Sequence, residues 1–222
     1  MAWDSEWEKL YKNRDWGKYP SEELIRFIAK NYYQNADKSK VKILELGCGI
    51  GANIWYCARE GFKVYGVDGS TSAIEKCKAR LNLEIPGWNG EVLVGDIVSL
   101  PYENNKFDAV IDNEAIAHNS FEDSKKIYAE AARVLKKGGK IFSRTFSTGT
   151  WGYNTGKLVG HNAWEVSEGP MKGHCKYIRF TEFHEINELL INFRVQSIET
   201  LIRTLENRNH EIKEWLIHGL KI

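Results

Sequence analysis

The chain has 222 residues, 42% hydrophobic and 27% charged, a mix that excludes disorder, collagen-like repeats and low-complexity architecture. Lys and Arg number 31 against 30 Asp and Glu, and the resulting net charge of +1 offers no basic excess to a nucleic-acid backbone. The length favours one domain, and a single domain over residues 1–222 is expected.

Ser21 stands where it can cap a helix that carries Glu22 and Glu23 in its first turn and Leu24, Ile25, Ile28 and Tyr32 as its apolar stripe. Residues 41–46 read as a first strand that runs into a glycine turn, followed by a short helix over 53–60 closed by Gly61. Residues 64–67 form a second strand with Asp68 at its carboxyl end, and Ile74, Cys77 and Leu81 mark the next helix. A third strand over 92–94 ends at Gly95-Asp96, and a fourth over 107–111 is apolar throughout, as a buried parallel strand should be. Ser120 with Asp123 resembles a capping box and opens a helix to residue 136, where Lys136-Lys137-Gly138-Gly139 is expected to stop it before a fifth strand over 140–146. Thr181 is expected to cap a helix over 182–191. Residues 195–204 and 212–220 flank Glu206-Asn207-Arg208-Asn209 as an antiparallel hairpin. The alternation predicts an α/β fold built from βαβ units.

Two segments stand outside this alternation. Residues 147–178 hold six glycines together with Trp151, Tyr153, Trp164 and Tyr177, and are expected to form an irregular insert that acts as a lid. Trp3, Trp7, Tyr11, Trp16 and Tyr19 approximate a helical repeat, so residues 1–20 read as an aromatic cap segment. The start of the chain lacks the basic head and apolar core of a secretory signal, and no run is apolar enough to span a bilayer. Cys48, Cys57, Cys77 and Cys175 form no close pair and no metal-type spacing, which predicts reduced thiols in a cytoplasmic chain. His161, His174 and His184 lack a paired ligand pattern, so no metal is expected.

The densest chemical signal is Ile43-Leu44-Glu45-Leu46-Gly47-Cys48-Gly49-Ile50-Gly51, where a strand enters a glycine turn ahead of a helix. Such a turn lets backbone approach a ligand and aims N–H groups at it. Gly47, Gly49 and Ala52 also satisfy a loose dinucleotide-binding pattern. Asp68 follows Gly47 by 21 residues, at a position suited to accept both hydroxyls of a ribose. Asp96 ends the third strand, where a carboxylate can accept an adenine amino group, and Asp112-Asn113 ends the fourth. Four successive strands thus place an acid, a glycine or an amide at the edge where open α/β sheets bind ligands.

With Val67-Asp68, Gly95-Asp96-Ile97, the run from Phe107 to Asp112 and the run from Arg133 to Gly139, this segment resembles the class I S-adenosylmethionine-dependent methyltransferases. The resemblance covers about residues 22–146 and is strongest to the small-molecule, ubiquinone-biosynthesis-type branch. Glu114-Ala115-Ile116-Ala117-His118 is similar to the E-x-x-E-H stretch of that branch, with Ala117 where the second acid would stand. It implies a Rossmann-like three-layer αβα sandwich, with a seven-stranded, mostly parallel sheet closed by an antiparallel C-terminal hairpin strand. It also implies S-adenosylmethionine as cofactor and S-adenosylhomocysteine as product.

By the same resemblance Gly47, Gly49 and Gly51 line the methionine portion with Glu45 near its amino group, and Asp68 holds the ribose. Gly69 and Ser70 lie beside the adenosine, Asp96 and Ile97 frame the adenine, Asn113 marks the floor near the sulfonium, and Trp16 helps cover the cofactor. His118 is the candidate general base, with a capping or packing histidine as the alternative. Tyr19, Trp151 and Tyr153 are candidate walls of a substrate pocket. A small-molecule acceptor is expected. DNA is disfavoured because the fourth strand is followed by Asp112-Asn113-Glu114-Ala115 rather than the Asn/Asp-Pro-Pro-aromatic motif of exocyclic-amine enzymes, and because no Pro-Cys pair exists. A protein or RNA methyltransferase, a non-catalytic cofactor-binding protein and a homodimer stay open. A nicotinamide-dependent oxidoreductase fits worst, given Glu45 before the turn and the antiparallel tail.

Overall fold

The computed structural model describes residues 5–15 and 17–222, so Trp3 and Trp16 lie outside the described residues. Its main sheet comprises β1 (Lys42–Leu46), β2 (Lys63–Asp68), β3 (Gly90–Val94), β4 (Phe107–Asn113), β5 (Leu135–Phe146), β9 (Phe193–Leu205) and β10 (His210–Lys221). The strand order is β3-β2-β1-β4-β5-β10-β9, and β10 alone runs against its neighbours. This is the expected seven-stranded, mostly parallel sheet closed by a hairpin.

Successive strand residues point to opposite faces, and both faces are apolar because both are covered. Ile43, Val64, Ala109 and Ile111 pack with Leu24 and Ile28 of α2 (Glu22–Tyr32), Ile54 and Cys57 of α3 (Ala52–Arg59) and Ile74 of α4 (Thr71–Glu84). Leu44, Tyr65, Val67 and Val110 pack on the other side with Ile127, Tyr128 and Ala131 of α5 (Phe121–Val134) and Ile186 and Leu189 of α6 (Glu185–Leu189). Two cores around one sheet make three layers. The caps follow local chemistry: Ser21 accepts from the Leu24 N–H at 3.3 Å, and Ser120 accepts from the Asp123 N–H at 3.0 Å. Among the described residues, no helix is long and apolar enough to cross a membrane. All four cysteines are buried.

Three local expectations are corrected. The Lys-Lys-Gly-Gly run does not end α5. Leu135 is already extended and pairs with Phe107, so the run belongs to β5, whose register against β4 shifts between Phe107 and Ala109. Thr181 caps no helix, because its N–H donates to Phe146 O at 2.7 Å and its hydroxyl accepts from Arg179 at 3.0 Å. The helix that follows starts later, and Glu185 reaches back to accept from the Glu182 N–H at 2.8 Å. Residues 147–178 are not wholly irregular either. They build β6 (Lys157–Gly160) and β7 (Ala163–Glu165), which join β8 (Ile178–Arg179) in a small antiparallel sheet packed on Phe146, Phe180 and Ile212.

The N-terminal helix α1 (Glu6–Asn13) lies across the start of α4. The Glu8 carboxylate accepts from Ser70 Oγ at 2.5 Å and Ser72 Oγ at 2.6 Å, contacts that hold it down to about 2. A carboxylate is favoured there by the α4 dipole. Leu10 and Tyr11 of α1 are buried against Ile50 and Ala73.

Asp112, near the end of β4, is fully buried and holds the turn that follows. One oxygen accepts from the Ala115 and Ile116 N–H groups at 3.0 Å, the other from Ser143 Oγ at 2.6 Å. Burial outweighs these bonds and pushes its carboxyl from 3.8 up to about 6. The folded state therefore binds the proton more tightly than the unfolded chain, and stability falls as pH rises from about 4 to about 6, by on the order of 2–3 kcal/mol in total. Asp112→Asn keeps an acceptor for Ala115 and Ile116 and is expected to flatten this part of the pH–stability curve. Urea unfolding at several pH values checks it; an unchanged slope would show that Asp112 does not titrate in this window.

Candidate functional site

The strand order reverses between β1 and β4, the place where an open sheet leaves a crevice at its carboxyl edge. A cavity of about 510 Å³ opens there, within the range of small-molecule sites. The turn after β1 forms one wall. Gly47 takes φ +61°, and a Cβ there would lie 2.4 Å from that of Ala115; Gly49 takes φ +51°, and a Cβ there would lie 2.6 Å from Tyr11 Oη. The backbone is thus pinched between the turn after β4 and the covering helix α1, which leaves room for glycine alone.

Asp68 ties this turn to the end of β2. Its two carboxylate oxygens accept from the Gly49 and Ser70 N–H groups, each at 2.8 Å. Burial raises its carboxyl, and these two bonds oppose the rise. Glu45 is buried on the same wall. One oxygen accepts from Asn53 Nδ2 at 2.6 Å, and the other has no hydrogen-bond partner among the described residues. Desolvation holds its carboxyl well above the usual range. Asn113 Oδ1, at the end of β4, is likewise buried without a partner. Gly69, Asp96 and Ile97 complete the wall on the β2–β3 side. Gly51 and Ser70 stand behind it: Gly51 caps α3, and the Ser70 hydroxyl caps α4 and donates to Glu8.

His118 ends a single 3₁₀ turn over Ile116–His118 and faces the cavity. Its Nδ1 lies 3.1 Å from the Tyr177 carbonyl oxygen, and its ring meets Trp7 edge-on at 4.8 Å. A carbonyl only accepts, so Nδ1 carries the proton and Nε2 is the basic nitrogen. Tyr19 lies on the cavity rim, edge-on to Trp55. Trp151 and Tyr153 do not line this cavity. Trp151 stacks on His210 at 3.8 Å and borders a second cavity, whereas Tyr153 packs against Phe180 and Trp164 in the core beneath the small sheet. Trp16, the remaining candidate, is outside the described residues.

Sequence reasoning gave no role to the ion cluster on the far side of the crevice. Arg144 of β5 forks onto Glu214 of β10, with Nε at 3.1 Å and Nη2 at 2.6 Å, and its Nε also lies 3.1 Å from Glu114. Glu114 adopts φ +69°, held by its N–H donating to Arg144 O at 2.9 Å. Burial raises its carboxyl and the Glu214 charge adds to this, against the pull of Arg144. Arg203 of β9 lines the same region. Only the position of Glu114 directly after the fourth strand hinted at this; the rest depends on β5–β10 register, which composition and periodicity do not supply. Tyr11 was legible only as part of a helical repeat.

Residues 43–139 match the family model described as a methyltransferase domain. The chain is 31% identical over 125 residues to norajmaline N-methyltransferase of Rauvolfia serpentina, covering 54% of this chain and 40% of that one. It is 33% identical over 124 residues to a fatty-acid O-methyltransferase of Mycolicibacterium smegmatis, covering 54% and 43%. The chain therefore spans less than half the length of these curated relatives. In fold it is similar to a SAM-dependent methyltransferase of Methanosarcina mazei, with a TM-score of 0.71 at 21% identity over 88% of this chain and 97% of that one. A protein of Pyrococcus horikoshii aligns with a TM-score of 0.66 at 22% identity over 90% and 89%. The matched segment runs from β1 into β5 and contains the glycine turn, Asp68, Asp96 and the Asn113 edge, and over this segment the chain is similar to S-adenosylmethionine-dependent methyltransferases.

Proposed function

We propose that this chain transfers a methyl group from S-adenosylmethionine to a small-molecule acceptor. The observation that carries this reading is two buried oxygens without partners among the described residues, Glu45 Oε2 and Asn113 Oδ1, on the wall of a cavity whose glycine turn is tied to a buried carboxylate. Buried acceptors left unmatched within the protein suit a ligand that brings donors or positive charge. S-Adenosylmethionine brings both, and when bound it supplies an electrophilic methyl group on a cationic sulfur.

The residues present fit that group. Glu45 Oε2 accepts from the ammonium end, and Asp68 retains lone pairs for the ribose hydroxyls beside its two backbone bonds. Asp96 and Ile97 frame the adenine, Gly47 and Gly49 border the methionine portion, and Asn113 stands toward the reacting end. Glu45, Asp68 and Asp96 make this wall acidic, which suits a cation. Residues 1–20 and 147–178 are read as coverings of one domain, with the second as a lid that excludes water. The relatives named for N- and O-methylation of small compounds support a small-molecule acceptor. His118 acts as general base: its Nδ1–H is held by the Tyr177 carbonyl, so Nε2 takes the proton that an acceptor oxygen or nitrogen loses as it gains the methyl group.

Calorimetry is expected to show binding of S-adenosylhomocysteine. Asp68→Ala should weaken it by about one to three decades, the loss of charge-assisted bonds totalling about 2–4 kcal/mol. Unchanged affinity in a folded variant would remove Asp68 from the cofactor site.

His118→Ala should leave cofactor affinity nearly intact and lower kcat by about 10²–10⁴-fold, with loss of the acidic limb of the pH–rate profile. A variant that keeps both its rate and its profile would make His118 structural and leave methyl transfer to positioning alone.

A further inference from the structure

A second cavity, of about 160 Å³, adjoins the first, and Glu114, Met171 and Arg203 line both. The rest of its wall is mostly apolar, with Phe146, Val166, Ile178, Phe180 and Ile212 drawn from one packed cluster beneath the small β6-β7-β8 sheet. An apolar cavity of roughly 150 Å³ is enough to hold one benzene ring and stays dry without it. The space here therefore suits a single six-membered ring.

The position of this cavity separates it from the cofactor wall. The ends of β1, β2 and β3 carry the glycine turn and the acids assigned above. The second cavity lies across the switch point, at the β4–β5–β10 side, where Glu114 follows β4, Phe146 ends β5, and Ile212 and Glu214 belong to β10. Glu114 stands on the boundary in a left-handed conformation that is unfavourable for a residue with a Cβ, imposed by Arg144 and the turn. Strain held at a cavity boundary is a mark of a residue positioned for a ligand. An uncharged hydroxyl suits this boundary, since it can donate to a carboxylate and accept from a guanidinium.

We propose that the second cavity is the acceptor subsite, and that the acceptor is a compact, uncharged monocyclic compound whose ring seats among Phe146, Val166, Ile178 and Ile212 while a ring hydroxyl other than the methyl-accepting group meets Glu114 and Arg203 at the boundary. This rests on the assignment of the first cavity to the cofactor.

Phenol is the probe, with benzoate as its charged counterpart of the same ring, both followed by saturation-transfer NMR and titration calorimetry on protein saturated with S-adenosylhomocysteine. Phenol is expected to bind and benzoate to bind more weakly. Val166→Phe and Ile212→Phe each fill the cavity and should lower phenol affinity at least about tenfold while changing S-adenosylhomocysteine affinity less than about twofold, which also reports that the variants fold. The proposal is overturned if phenol does not bind the wild type, if both variants bind it as the wild type does, or if benzoate binds equally well or better. Failure of S-adenosylhomocysteine itself to bind overturns the cofactor assignment instead, and the same phenol comparison on the ligand-free protein still decides whether the cavity takes a ring.

Discussion

The Asp68 carboxylate sits where several parts of the site meet. It accepts from Gly49 and Ser70, and so joins the turn after β1 to the start of α4. Ser70 in turn caps α4 and donates to Glu8, which brings α1 over the crevice and puts Tyr11 against Gly49. Hydrogen bonds to a charged group contribute about 1.5–3 kcal/mol each, and losing one strands a buried partner. Helix start, glycine turn and covering helix therefore depend on one buried acid.

The crevice is divided electrostatically. On the β1–β3 side Glu45 and Asp68 are buried acids whose carboxyls are raised by desolvation, so their charged forms are incompletely satisfied by the protein. A cationic ligand reverses that balance, because an opposite charge at close range favours the ionised form. On the β5–β10 side the acids Glu114 and Glu214 already have Arg144 between them. Removing one member of such a buried group costs about 3–5 kcal/mol, since it leaves an uncompensated charge. That side carries its own counter-charge and borders the second cavity, whereas Glu45 and Asp68 on the first side are held by neutral donors.

The covering elements differ in how they are held. Glu8 fixes α1 through two serine hydroxyls, and its carboxyl, held down to about 2, stays charged at every pH where the protein would be used. The segment over 147–178 is held by backbone pairing within a small sheet and by Trp151 stacked on His210. Its apolar underside forms one wall of the second cavity.

Much of the fold was legible in the chain because it rests on local signals. Ser21 and Ser120 cap as their side chains dictate, the run over 43–46 enters a glycine turn, and Asp68, Asp96 and Asn113 fall at strand ends because each strand stops where its apolar run stops. What tertiary structure decided was how distant pieces compete for the same groups. Thr181 has a capping side chain, but pairing with Phe146 and the approach of Arg179 take up its N–H and hydroxyl. Lys136 to Gly139 reads as a helix stop, but Leu135 finds Phe107 first and the run becomes strand. Trp151 and Tyr153 read as walls of one pocket with Tyr19, but the small sheet carries them away from it, Trp151 to the second cavity and Tyr153 onto Phe180. The Arg144–Glu214–Glu114 cluster needs the register of β10 against β5 and a left-handed turn after β4. Caps, apolar periods and glycine turns act over a few residues and leave their mark in sequence, whereas register and side-chain competition depend on residues 70 or more positions apart and are set only when the sheet closes.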